Sequence, residues 1–133
     1  MKTITLETKS RSEMIDITAA VQKAVREEQI ENGFCLVYTP HTTAAITINE
    51  NADPDVPRDI LSALEKAVPF SAHYRHMEGN SAAHAKSSLV GASELVMIEN
   101  GRLVLGTWQA IFFCEFDGPR TRKVFVKLIA GAR

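Results

Sequence analysis

GRLVLGTWQAIFFCEFDGPRTRKVFVKLIA, residues 101–130, decides the fold. Thr107 to Asp117 reads as one long strand and Lys123 to Ile129 as its antiparallel partner, across the turn Asp117-Gly118-Pro119-Arg120. Side chains alternate along a strand, so Gln109, Ile111, Phe113, Glu115 and Asp117 share one face. Trp108, Ala110, Phe112, Cys114 and Phe116 share the other, and the predominance of apolar residues predicts burial on both sides. Just upstream, Leu95 to Ile98 and Leu103 to Leu105 flank Asn100-Gly101, the signature of a hairpin with a tight primed turn.

Toward the amino terminus, Thr3 to Glu7 alternates as a half-buried strand, and a short extended piece follows near Met14 to Ile17. Thr18 or Asp16 caps a helix whose apolar positions Ile17, Val21, Ala24 and Val25 recur at helical spacing, with Asn32-Gly33 as its stop. Two β-prone runs come next, Phe34 to Thr39 and Ala44 to Glu50, separated by Pro40-His41-Thr42-Thr43. Proline disfavours helix before it and removes a ladder donor, so these four residues form a bend or strand end with polar side chains facing a cleft. Asp53 or Asp55, beside Pro54 and Pro57, opens a second helix with the stripe Ile60, Leu61, Leu64 and Val68, and Pro69 closes it. Phe70 to Ser81 reads as a loop, and Ala82 to Val90 as a short helical turn or strand.

Strands, helix, strands, helix and then a run of antiparallel strands argue for an α+β fold, with helices on one face of a curved sheet. A chain of 133 residues fits one domain, and 45% apolar with 23% charged residues suits an ordinary globular protein. The net charge of −1 lacks the basic surface that nucleic acid requires. The longest apolar run, Ala110 to Cys114, is far short of the roughly twenty residues of a membrane span, and MKTITLETKS has no signal-peptide core. A cytoplasmic location is expected, with no membrane partner. Cys35 and Cys114 sit in apolar surroundings without CxxC spacing, which predicts buried structural thiols.

Histidines at 41, 73, 76 and 84 carry the functional signal, three of them within twelve residues beside Glu78, Asn80 and Lys86. Imidazole ligates metals and changes charge near neutral pH, so the cluster points to metal binding or proton transfer. His73 and His76 reach one point if their segment turns helically, whereas His84 and His41 must be brought in by the fold. His41, Thr42 and Thr43 at a strand mouth suit an anion or a metal, and Arg120 suits a phosphate clamp. Glu50, Asp53 and Asp55 precede a helix, where capping competes with a catalytic role. Gln109 and Glu115 stand roughly 20 Å apart on one strand, too far to share a small ligand within one chain.

PHTTAAITINEN followed by DPDV, then HMEGNSAAHAKSSLVG, then GRLVLGTWQAIFFCEFDGPRTR, resembles the YjbQ-like family, also called the secondary thiamine-phosphate synthase family. The resemblance covers about a hundred residues in order. It implies an antiparallel sheet bent into a half-barrel with two main helices packed on it, and assembly as a homotrimer. The implied activity joins a hydroxymethylpyrimidine diphosphate to a thiazole phosphate with release of pyrophosphate. Matching polar positions are His41, Thr42, Thr43, Asn49, Glu50, Asp53, His76, Glu78, Asn80, His84, Trp108, Gln109, Glu115, Asp117 and Arg120.

On this reading His41, His76 and His84 hold a divalent metal or a phosphate. Asp53 and Glu115 are the catalytic carboxylates, and Thr42, Thr43, Asn80, Lys86 and Arg120 position a small phosphorylated substrate. Zinc is favoured by ligand type, and magnesium is the alternative where diphosphate departs. A non-catalytic trimer that binds a metal or a phosphometabolite is the competing class.

Overall fold

Alternation in the sequence becomes pairing in space. The computed structural model describes residues 1–131, in the order β1 (Lys2–Glu7), β2 (Glu13–Asp16), α1 (Thr18–Glu27), β3 (Gly33–Tyr38), β4 (Ala44–Glu50) and α2 (Asp55–Ala67). Then follow α3 (Ser81–Val90), β5 (Ser93–Glu99), β6 (Arg102–Leu103), β7 (Gln109–Glu115) and β8 (Thr121–Ala130). Every strand pair is antiparallel: one sheet runs β1-β8-β3-β5-β6 and is curled into a half-barrel, and a second runs β2-β7-β4. The α+β class and the half-barrel thus stand as expected, with one difference in pairing. β8 follows β7 in sequence but joins the other sheet, between β1 and β3.

β7 shows why both of its faces are apolar. Ile111 and Phe113 turn inward to a core shared with Val21 and Val25 of α1, Val37 of β3 and Val124 and Val126 of β8. Ala110, Phe112 and Cys114 turn the other way, onto Ala83 of α3 and the half-buried Leu61 and Leu64 of α2. Each fully buried phenylalanine contributes on the order of 3 kcal/mol to this arrangement. Cys35 and Cys114 are buried free thiols, pushed by burial to about 11 and about 12, which suits a packing role.

α3 resolves the ambiguity over Ala82 to Val90 in favour of helix. Its small residues Ala82, Ala83 and Ser87 let it lie close on β4, and the Ser87 hydroxyl donates to the Ala44 carbonyl at 2.6 Å. Asn100 and Gly101 both have positive φ, as the primed turn between β5 and β6 demands. Gly33 does not end α1, which stops with Gln29 at φ 54; it lies where a Cβ would come within 2.0 Å of the Ile129 carbonyl oxygen. Gly118 is equally crowded, with the Ser10 carbonyl oxygen 2.3 Å from any added Cβ. Among the described residues no helix is long and apolar enough to cross a membrane.

Candidate functional site

Three connections converge at one end of the three-stranded sheet. The bend between β3 and β4 supplies His41, Thr42 and Thr43; the loop between α2 and α3 supplies His76, Glu78 and Asn80. His84 lies in the first turn of α3, and Asp117, Arg120 and Arg122 come from the β7–β8 turn and the start of β8. Together they line an open pocket of about 410 Å³. Its position follows from the sequence: Pro40 and Pro119 interrupt strand pairing, and the loop closed off by Pro69 has no apolar periodicity to pack it elsewhere.

His76 and His84 stack edge to face, with ring centroids 5.4 Å apart. His41, from the bend between β3 and β4, is half-buried, and the Lys123 backbone N–H donates to its Nε2 at 2.9 Å. Burial, then the positive charge of Arg122, holds this imidazole below its ordinary value, which favours the neutral ring. Asn80 occupies the position before α3 without capping it. Its Nδ2 donates to Asp117 Oδ2 at 2.9 Å, and its buried Oδ1 has no hydrogen-bond partner among the described residues. The same Asp117 oxygen accepts from Arg120 Nη2 at 3.0 Å, which ties the loop to the turn.

Behind the pocket lies a buried ion pair. Glu115 is fully buried and accepts from Arg122 Nε at 2.8 Å and from Arg122 Nη2, from the Thr8 hydroxyl at 2.7 Å and from the Asp117 N–H at 3.0 Å. Burial works to raise this carboxyl, but the hydrogen bonds outweigh it and hold the group below its ordinary value. Arg122 Nη2 also donates to Thr43 Oγ1 at 2.9 Å, which fixes the hydroxyl on the pocket wall.

Seven of the ten residues singled out in the sequence meet here: His41, Thr42, Thr43, His76, Asn80, His84 and Arg120. Three do not line the pocket. Asp53 is exposed and accepts from the Asp55 N–H at 2.9 Å, a turn-forming role before α2. Glu115 is spent on Arg122, and the buried Lys86 Nζ reaches Glu65 Oε1 at 2.7 Å, fastening α3 to α2. His73 is exposed and likewise lies off the pocket. Arg122 was not singled out; the available signal was its charge opposite Glu115 across a tight turn. Among the described residues no group of three or more His, Cys, Asp or Glu side chains is set to hold a metal ion.

Residues 2–131 match the family described as UPF0047 protein YjbQ-like. UPF0047 protein YugU of Bacillus subtilis is 57% identical over 130 residues, covering 97% of this chain and 98% of YugU. YjbQ of Escherichia coli O157:H7 is 33% identical over 117 residues, 86% of this chain and 85% of that protein. A crystal structure of an uncharacterized member from Clostridium acetobutylicum superposes with a TM-score of 0.96 at 57% identity, covering 97% of this chain and all (100%) of that one. A YbjQ-like protein of unknown function from Sulfolobus solfataricus gives 0.94 at 34% identity, covering 98% and 96% of the two chains. These relatives carry uncharacterised or unknown-function descriptions, so the thiamine-phosphate synthase activity expected from the resemblance is withdrawn: none of these descriptions supports it. The chain belongs to the YjbQ-like UPF0047 family.

Proposed function

We propose that the pocket binds a small phosphorylated molecule. The observation that carries this reading is the convergence of His41, His76 and His84 with Arg120 and two threonines, drawn from separate connections onto one open cavity. A guanidinium and several N–H and O–H groups facing a common space suit a phosphoryl oxygen cluster. Asn80 and Arg120, joined through Asp117, tie the loop to the turn beside the cavity. Asp53, Glu115 and Lys86 serve the scaffold in this reading, since each is engaged away from the cavity.

A divalent ion, zinc by ligand type, is a second proposal, favoured by the closeness of His76 and His84. Those two rings would hold it, and its chemistry would be to polarise a phosphoryl oxygen. We also propose a homotrimer. Phe34, Tyr38, Leu95, Met97 and Ile129 leave an exposed apolar face on the curled sheet, of the kind that association covers.

Calorimetric titration with inorganic phosphate, alone and after zinc loading, tests the site. Wild-type protein is expected to bind, and His84→Ala to lose at least tenfold in affinity, the equivalent of about 1.4 kcal/mol. Equal binding by wild type and His84→Ala would remove the pocket from consideration.

A further inference from the structure

Hydrogen-bond polarity on one wall of the pocket is set from behind. A backbone N–H only donates, so the Nε2 of His41 that meets the Lys123 N–H at 2.9 Å must present a lone pair. The ring proton therefore sits on Nδ1, which forms no hydrogen bond with another described residue. Thr43 follows the same logic. Arg122 Nη2 donates to its Oγ1 at 2.9 Å, and a guanidinium never accepts, so the hydroxyl proton remains to be given away. Thr43 is buried, yet it lines the pocket. Arg120 spends Nε on the Asp117 carbonyl at 2.8 Å and Nη2 on the Asp117 carboxylate at 3.0 Å, and among the described residues Nη1 has no partner.

Resting on the phosphate-pocket reading, we propose that His41, Thr43 and Arg120 form a donor-only cradle for the dianionic end of a phosphate monoester. His41 acts there as a neutral hydrogen-bond donor and not as a metal ligand, because its one lone pair is already committed to Lys123. A dianionic phosphoryl group offers three oxygens that only accept, so every donor finds a partner. An amine, or a phosphate that keeps a proton on the oxygen facing this wall, sets donor against donor and leaves the buried Thr43 hydroxyl and the half-buried His41 N–H unpaired, which discriminates between ligands. Asp117 does not oppose the anion at full strength, because its carboxylate is shared between Asn80 and Arg120. Glu78 lines the same pocket from the exposed loop, where water screens its charge from the anion.

Long-range nitrogen–proton NMR correlations on the free protein read each histidine's tautomer without any ligand. His41 is expected with its proton on Nδ1, and a proton on Nε2 would overturn the cradle. Inorganic phosphate, titrated near pH 8 where the dianion dominates, then compares wild type with His41→Ala, His41→Asn and Thr43→Val. His41→Ala and Thr43→Val are expected to weaken binding roughly ten- to hundredfold. His41→Asn should stay close to wild type, since its amide N–H takes the place of Nδ1–H. Unchanged affinity in His41→Ala, with wild type still binding, defeats the cradle and spares the pocket reading. A wild type that takes up no phosphate defeats both.

Discussion

Glu115 and Arg122 show how a functional-looking carboxylate can belong to the scaffold. Removing one member of a buried pair strands the other, so Glu115→Gln is expected to cost about 3–5 kcal/mol in chemical denaturation. Replacing both, as in Glu115→Leu with Arg122→Met, should cost far less, because no charge is left unpaired. The folded Glu115 holds its proton less tightly than the unfolded one, so the unfolded chain binds more protons in the window between the two values. Stability therefore rises with pH across that window; the contribution is complete above the unfolded value and disappears as pH falls through the folded one. Glu115→Gln should show a shallower acid limb in thermal melts than wild type, and an identical limb would refute the assignment.

The histidines were legible as a cluster, because three imidazoles within twelve residues are conspicuous whatever the fold. Their orientation was not. Whether His41 offers a proton or a lone pair depends on the Lys123 N–H, 82 residues along the chain, and no local pattern records that contact. Glu115 misled for a related reason. Its place on the inward face of β7 was plain from alternation, but its partner lay in the next strand.

Among the elements, the hairpin of β5 and β6 and the strand β7 were read closely from the sequence, because turn chemistry and alternation are local signals. α3 was harder, since its alanines pack as well on a strand surface as in a coil and leave no wide apolar stripe. Its tether to α2 permits an asymmetric prediction. Lys86 is buried while Glu65 is half exposed, so Glu65→Ala abandons a buried ammonium and should cost about 1–3 kcal/mol. Lys86→Met keeps the volume and leaves a carboxylate that water can solvate, so it should cost less. Paired urea unfolding curves check the order, and a larger loss for Lys86→Met would reverse the assignment.

For the whole molecule, which strands share a sheet is the feature the sequence could not supply. β7 and β8 are joined by only five residues, Phe116 to Arg120, yet they diverge into different sheets, and the pocket opens where they part. The divergence is a tertiary outcome: β8 finds β1 and β3 on its two edges while β7 takes β2 and β4. The apolar outer face of the curled sheet bears on assembly. Leu95 and Met97 are 60% and 58% exposed there, and Leu95→Glu with Met97→Lys should release protomers if copies meet on this face. Sedimentation or light scattering would then report a single chain with its fold intact by circular dichroism. An unchanged mass would move the interface elsewhere.

The proposed phosphoryl receptor, built by residues from three connections, is tested most directly by a crystal structure grown with a millimolar phosphate monoester. Tetrahedral density is expected within hydrogen-bond reach of His41 Nδ1, the Thr43 hydroxyl and Arg120. Empty density at that point, with the ester ordered elsewhere on the molecule, would contradict it.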